Sequence, residues 1–303
     1  MQIALIGYGE VGRILAEDLR PLGHAVTVHD LKLGNEAGNP LRAHAAAIGT
    51  TLAATHADAV RGAQLVISAV TASQAVPVAA ACAGAMTPGA FFLDLNSVSP
   101  GAKIEAARLI DAQAGRYVEA AVMTSIPPYR IKVPLLLGGS AAAALLPLLT
   151  ELGFEPQIVS EKLGVASATK MCRSIIIKGL EAMLIESFTT ARHYGVEDAV
   201  IASLVETFPA IDWELQGAYF FQRVIEHGRR RSEEVHEVAV TVREAGLEAH
   251  SAAGTALRQA WMADLADAGL FSARGTAGFA RSANWRTEAD RMLALIHKET
   301  HAL

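Results

Sequence analysis

The first half of the chain alternates short apolar runs with segments in which apolar residues recur at helical spacing. The runs QIALI, QLVISAV and AFFLDLN are almost continuously apolar, as expected for strands that are covered on both faces. Strands that alternate with helices of this length are typical of βαβ units. The pattern predicts an α/β domain over residues 1–162, with a mostly parallel, doubly wound sheet.

The pattern changes near residues 160–164. Beyond this point strand patterns nearly vanish, and long segments with a period of about 3.6 residues dominate. We therefore predict an all-α domain over residues 163–303. A long helix that contains GVASATKMCRSIIIKGLEAMLIE is expected to join the two domains.

Composition narrows the class of protein. The chain is 51% hydrophobic and 19% charged, which provides for sizeable cores and argues against disorder. Its net charge of −5 gives no reason to expect nucleic acid as a partner. No apolar run is long enough for a transmembrane helix, and the N-terminal residues lack a signal-peptide pattern. Since Cys82 and Cys172 offer no framework of several disulfides, we expect a cytoplasmic protein without membrane partners.

The segment GYGEVG, residues 7–12, has the spacing G-x-G-x-x-G between a predicted strand and a predicted helix. In this context Gly7 permits a tight turn, Gly9 lets the backbone approach a pyrophosphate, and Gly12 lets the helix pack on the strand. The helix N-terminus adds N–H groups and positive potential. The alternative is a domain of this type that binds nothing. The predicted dinucleotide contacts in this turn are Gly7, Tyr8, Gly9, Glu10, Val11 and Gly12.

Asp30 ends the next predicted strand, AVTVHD, and is placed to accept hydrogen bonds from an adenosine ribose. A carboxylate repels a 2′-phosphate, so NAD is favoured, while the nearby Lys32 keeps NADP as an alternative. The loop after QLVISAV follows the carboxyl end of a strand, so Val70 and Thr71 are expected to line the nicotinamide half.

Three segments carry a family resemblance: GYGEVG, DLNSVSP at 94–100 and GVASATK at 164–170. They resemble the β-hydroxyacid dehydrogenases, which include 3-hydroxyisobutyrate and 6-phosphogluconate dehydrogenases. The segments KMCRSIIIKGLEAMLIE and HGRRRSEEVHEV are similar to a divergent branch whose phosphogluconate-dehydrogenase-like C-terminal domain has no assigned function. The resemblance implies a Rossmann domain joined by a long helix to an all-α domain, in agreement with the boundary drawn from periodicity.

The family carries its catalytic lysine on that long helix, and Lys170 matches it. The resemblance implies an NAD(P)-dependent enzyme acting on CH–OH groups, such as those of 3-hydroxy acids, with Lys170 as general acid/base. A partly desolvated ammonium suits this role, because its pKa falls and it stabilises oxyanion charge. The alternative is that Lys170 only extends its ammonium to water.

The resemblance has three departures, which bear on the substrate. Ser174 stands where the family usually has asparagine, one turn after the lysine. Residues 123–125 read Met-Thr-Ser where a Ser-Gly-Gly stretch is expected, and Asn96 and Ser97 stand where relatives often have Ser-Thr. We therefore carry over no relative's substrate. Asn96 is also a candidate contact of the nicotinamide amide. The residues expected to orient the substrate are Asn96, Ser97, Thr124, Ser125 and Ser174.

Further basic residues are candidates for binding an acidic substrate. Lys178 lies two helical turns beyond the candidate catalytic lysine, and it binds a substrate carboxylate or pairs with Glu181 or Glu186. In HGRRR, residues 227–231, the candidates for contact with an acidic substrate are His227 and Arg231. Arginine suits this role because its planar guanidinium group matches carboxylates and phosphates. The alternative for this segment is a solvated helix face, on which RRR is balanced by the following acidic residues.

Two other functions remain open from the sequence. Imine reductases share this architecture but tend to carry Asp or Tyr in place of the lysine, and a non-catalytic nucleotide sensor would bind the dinucleotide without turnover. His297 and His301 have the spacing of metal ligands but lack a third ligand, so we predict no metal site. One expected partner is a small, acidic substrate. The other is a second copy of the chain, which would cover part of the apolar surface of the all-α domain.

Overall fold

The computed structural model describes residues 1–279 and 284–300, with side chains described through residue 298. The chain divides into two compact units, Met1–Cys172 and Arg173–Leu303, and each is described separately. The division falls inside one long helix, later than the boundary predicted after residue 162. The reason is that the first turn of this helix is hydrogen-bonded to Glu119, a residue of the sheet of the first unit.

The described residues of the first unit form one eight-stranded sheet. Its strands are β1 (Gln2–Ile6), β2 (Ala25–His29), β3 (Thr51–Leu52), β4 (Leu65–Ser68), β5 (Phe91–Asp94), β6 (Arg116–Val122), β7 (Pro134–Gly138) and β8 (Glu155–Ser160). The order is β3-β2-β1-β4-β5-β6-β7-β8, and every neighbouring pair is parallel except β6 with β7. The predicted mostly parallel sheet is confirmed. The sequence gives no sign of β3, because it is only two exposed residues long.

Helices and short turns connect these strands. The α-helices of this unit are α1 (Glu10–Leu19), α2 (Asn39–Ile48), α3 (His56–Val60), α4 (Ala75–Ala83), α5 (Pro100–Asp111), α6 (Ile126–Tyr129) and α7 (Ala142–Glu151), followed by the start of α8 (Val165–Tyr194). The 3-10 turns are Arg20–Leu22, Leu31–Gly34, Glu36–Gly38, Ala72–Gln74 and Arg130–Lys132.

Two apolar layers cover the two faces of the sheet. Alternate residues of β1 serve opposite layers, since Ile3 and Leu5 belong to one buried cluster while Ala4 and Ile6 belong to the other. Both faces of the sheet are therefore covered by apolar side chains and shielded from water. This explains why the strands read as continuous apolar runs rather than as alternating ones.

Within the described residues of the second unit, the regular secondary structure is helical. It contains the rest of α8, then α9 (Glu197–Thr207), α10 (Trp213–Glu244), α11 (His250–Asp267) and α12 (Trp285–Thr300). Its core brings Phe188, Phe221 and Trp285 together, and a Cβ on Gly217 would lie 2.8 Å from the Trp285 ring. The predicted all-α domain joined by a long helix is confirmed. Within the described ranges, no helix combines the length and apolarity needed to cross a bilayer.

Candidate active site

The glycine-rich turn joins β1 to α1. Gly7 has a φ of +92°, and its N–H donates to the His29 carbonyl at 2.9 Å. A Cβ on Gly7 would lie 2.3 Å from the Ala69 carbonyl oxygen, and one on Gly12 would lie 2.1 Å from that of Gly7. Backbone packing therefore requires glycine at both positions. A Cβ on Gly9 would meet nothing within 4 Å, so this glycine faces open space.

The N-terminus of α1 opens next to that space. Gly9 precedes the helix and provides no side chain to cap it. Glu10 and Val11 begin the first turn, where N–H groups lack partners within the helix and the dipole favours anions. This end of the helix fits a pyrophosphate.

Asp30 lies beside the same turn. Its carboxylate accepts the Tyr8 N–H and the Lys32 N–H, each at 2.9 Å. The Tyr8 side chain points away into the protein, where its hydroxyl lies 2.8 Å from His44 Nδ1, and His44 Nε2 lies 2.9 Å from Glu17. Burial raises the pKa of Tyr8. Tyr8 can therefore offer a cofactor only its backbone.

Asn96 ties the ends of β4 and β5 together. It is 4% exposed; its Oδ1 accepts the Val70 N–H at 2.6 Å, and its Nδ2 donates to Ser68 Oγ at 2.9 Å. Thr71 follows Val70 and is exposed at the start of a 3-10 turn. The Asn96 side chain thus fixes the loop that we expect at the nicotinamide half, and a direct contact of Asn96 with a ligand stays a prediction.

A buried ion pair between Lys103 and Asp94 lies next to Asn96, and the sequence pattern does not predict it. Lys103 Nζ lies 2.9 Å from Asp94 Oδ1, and both side chains are 1% exposed. The Tyr117 hydroxyl donates to Asp94 at 2.7 Å, and the Asn96 N–H donates to it at 2.8 Å. Burial and the Asp94 charge raise the pKa of Tyr117 well above its ordinary value. The sequence signal is the single charged residue within the apolar run FFLDLN.

Lys170 reaches the loop that follows β5. It lies in the second turn of α8, is partly buried, and donates from Nζ to Ser97 Oγ at 2.5 Å. Both residues were predicted site residues, and the structure brings them into contact. Because Ser97 follows the carboxyl end of β5, this contact lies on the edge of the sheet where the glycine-rich turn also lies.

Thr124 and Ser125 follow the carboxyl end of β6 and are exposed. The loop that carries them is fastened to α1, since Arg130 pairs with Glu17 at 2.7 Å and with Asp18 at 2.8 Å. Arg130 has a φ of +53°, a conformation that costs a residue other than glycine free energy. The two hydroxyls are thus held at the same edge of the sheet.

The predicted basic contacts of the second unit are already paired. Lys178 is 7% exposed and pairs with Glu234 at 2.7 Å, not with Glu181 or Glu186. Burial lowers the pKa of Lys178, and the Glu234 charge partly offsets this. This lysine is therefore a structural ion-pair partner within its own unit.

Arg231 is also used internally. It is 3% exposed and forms an ion pair with Glu181, to which Gln259 donates at 3.2 Å, so the cluster links α8, α10 and α11. His227 is exposed, with its side chain 43% accessible, and the part of it that is buried lowers its pKa. Ser174 is buried on α8.

Among the described residues, no three or more His, Cys, Asp or Glu side chains come together in a group that could hold a metal ion. His297 belongs to α12. His301 lies outside the described residues.

Comparison with family models identifies both halves of the chain. The model for the NAD binding domain of 6-phosphogluconate dehydrogenase matches residues 2–153. A model for a domain of unknown function matches residues 191–262.

Individual proteins support the same relationship. An uncharacterised 28.5 kDa protein of Methanothermus fervidus is 30% identical over 78% of this chain and 89% of its own length. A conserved hypothetical protein of Sinorhizobium meliloti is 34% identical, with a TM-score of 0.75 over 96% of this chain and 95% of its own. The 3-hydroxyisobutyrate dehydrogenase of Mycobacterium tuberculosis, solved with L-serine, shares the fold at 16% identity, with a TM-score of 0.70 over 96% and 98% of the two chains.

The buried Asp94–Lys103 pair yields a stability prediction. The Lys103→Met substitution keeps a long apolar side chain but removes the ammonium group. The Asp94 carboxylate would then be buried without its cationic partner. We expect the free energy of unfolding to fall by about 3–5 kcal/mol in denaturant titrations. The exposed pair Arg108–Glu105 is the matched control, and Arg108→Met should have little effect. Equal losses in the two variants would contradict this account of the pair.

Proposed function

Since this chain belongs to the β-hydroxyacid dehydrogenase family, with an NAD binding domain of the 6-phosphogluconate dehydrogenase type, we propose that it is an NAD(P)-dependent oxidoreductase. It moves a hydride between the nicotinamide and the hydroxyl-bearing carbon of a 3-hydroxy acid or a related hydroxy compound. The observation that carries this proposal is the 2.5 Å contact between Lys170 Nζ and Ser97 Oγ at the carboxyl edge of the sheet.

The residues of the first unit fit a dinucleotide. Gly9 leaves open space, the N-terminus of α1 faces it, and Asp30 lies beside the turn. In this proposal the α1 N-terminus holds the pyrophosphate and Asp30 holds the adenosine ribose. The loop of Val70 and Thr71 borders the nicotinamide half, and the bound dinucleotide supplies the hydride acceptor or donor.

Lys170 moves the proton. In oxidation its neutral amine takes the proton of the substrate hydroxyl; in reduction its ammonium returns a proton to the new alkoxide and stabilises the negative charge that develops there. Ser97 accepts from Lys170 and keeps its own O–H available as a donor. Ser97, Thr124 and Ser125 orient the polar groups of the substrate. Lys178 and Arg231 have no role in this proposal because each is already paired with a glutamate of the second unit.

A second copy of the chain is the expected partner. In the second unit, α8 and α11 border a mostly apolar groove of about 810 Å³. Ile176 and Met183 on its α8 side are 63% and 61% exposed, and Tyr194 is 71% exposed. Exposed apolar side chains that line one groove are typical of an interaction site. We propose that another copy covers it in a homodimer.

The first prediction from this proposed function concerns Lys170. In assays of 3-hydroxy acids and their keto partners with NAD(H) and NADP(H), Lys170→Ala should lower kcat/KM by about 10²-fold or more, because a general acid/base is lost. Lys162→Ala, at an exposed lysine shortly before α8, is the control and should leave kcat/KM unchanged. Full activity in Lys170→Ala would remove this lysine from the mechanism. Turnover of imines but not of keto acids would instead indicate a reductase of C=N bonds.

The second prediction concerns the cofactor. We propose NAD, because the Asp30 carboxylate repels a 2′-phosphate. Asp30→Asn retains an acceptor oxygen for the Tyr8 N–H but removes the charge, so the ratio of NADPH to NADH affinity should rise about tenfold, equivalent to about 1.4 kcal/mol. Fluorescence titration measures both affinities. Glu36→Gln, at an exposed carboxylate nearby, is the control. Tighter NADPH than NADH binding by the unaltered protein would overturn the assignment.

The third prediction concerns assembly. Light scattering should give a dimer, and Met183→Glu should shift it toward monomer, because the new carboxylate would be buried in the interface without a partner. Leu247 is 65% exposed but does not line the groove, so Leu247→Glu should remain dimeric. A monomeric parent protein would rule out the dimer.

A further inference from the structure

Glu119 is a fully buried carboxyl group in the middle of β6, and neither the family resemblance nor the proposed mechanism uses it. Its Oε1 accepts the Gly164 N–H at 2.8 Å and the Ala166 N–H at 3.2 Å. Its Oε2 accepts the Ser167 hydroxyl at 2.9 Å and the Ser167 N–H at 3.4 Å. One side chain of the sheet therefore receives four donors from the beginning of α8.

These contacts replace a local helix cap. The residue before α8 is Gly164, which has a φ of +90° and no side chain. The first N–H groups of a helix need acceptors, and its dipole favours negative charge at this end. Glu119 supplies both from a strand distant in sequence. The donors in turn offset the cost of burying the carboxylate.

The neighbouring strand leaves room for this carboxylate. Glu119 is the register partner of Gly138 in the antiparallel pair β6–β7. A Cβ on Gly138 would lie 2.3 Å from Glu119 Oε1. Any larger residue there would therefore displace the carboxylate from the helix.

The cap is close to the proposed catalytic lysine along α8. Ser167 and Lys170 are three residues apart and so share one face of the helix. The start of α8 is tied to the sheet twice, through Glu119 in β6 and through Ser97 after β5. The contacts with Glu119 fix the position of the helix along its axis and its rotation about that axis. These two quantities determine where the Lys170 ammonium lies.

We propose that Glu119 is a positioning residue that holds Lys170 against Ser97 by capping α8. This inference rests on the proposed role of Lys170 in proton transfer. It predicts that weakening the cap changes the surroundings of the Lys170 amine even when the fold and the glycine-rich turn are intact.

The test measures the Lys170 amine directly and needs no substrate. Trace acetylation across about pH 7 to 11, quantified by mass spectrometry of the Lys170 peptide, gives the labelling rate and its midpoint. Glu119→Gln replaces one acceptor oxygen with an NH₂ donor, which leaves α8 donors without a partner. We expect the Lys170 labelling rate to change by at least about threefold, the effect of a shift of about half a pKa unit.

Two further variants make the result interpretable. Ser167→Ala removes only one donor, so it should change the Lys170 profile in the same direction but less, and it decides the question if Glu119→Gln does not fold. Glu155→Gln, at an exposed carboxylate of β8, should leave the profile unchanged. NADH affinity should stay constant in every variant, because the α1 site is untouched.

Unchanged Lys170 labelling in folded Glu119→Gln and Ser167→Ala proteins would overturn the proposal, as would an equal change in Glu155→Gln. Where turnover is found, Glu119→Gln should lower kcat while the KM for the dinucleotide stays constant. If Lys170→Ala retains full activity, the proposed function fails, yet the labelling profile still decides whether Glu119 positions Lys170.

Discussion

Two acidic side chains lie next to each other inside the sheet, and the arrangement of the site depends on how each is neutralised. Asp94 of β5 and Glu119 of β6 are register partners in a parallel pair, and both are fully buried. Adjacent buried carboxylates need separate partners. Asp94 takes Lys103, Tyr117 and the Asn96 N–H, whereas Glu119 takes the N-terminus of α8. The first set places the loop that carries Asn96 and Ser97, and the second places the helix that carries Lys170.

The same requirement governs the second unit. Its buried cations, Lys178 and Arg231, are matched by Glu234 and Glu181, and the resulting cluster links three helices. Taken one at a time along the sequence, these cations suggest a site for an acidic substrate. In the folded unit each of them is already paired with a glutamate, so their first role is to hold helices together. The same unit also has a mostly apolar groove, lined by residues such as Ile176, Met183 and Tyr194.

Much of the fold could be predicted because it depends on local pattern. Continuous apolar strands, the glycine-rich turn and the change to helical periodicity gave the sheet, the nucleotide-binding type of domain and the all-α domain. Features that depend on long-range packing could not be predicted. Periodicity says nothing about the inward orientation of Tyr8 toward His44, the choice of Glu234 by Lys178, or a two-residue strand such as β3.

Residue types and their spacing along the chain specify the chemistry that is available: a turn shaped for a pyrophosphate, an acidic residue directly after β2, and a lysine on the long helix. These follow from residue type and spacing along one element, which the chain specifies locally. How that chemistry is arranged depends on contacts that form only in the folded protein. Lys170 and Ser97 are distant in sequence, as are Glu119 and the start of α8. Their contacts arise because buried charges and uncapped helix ends must find partners, and only the folded sheet brings those partners within reach.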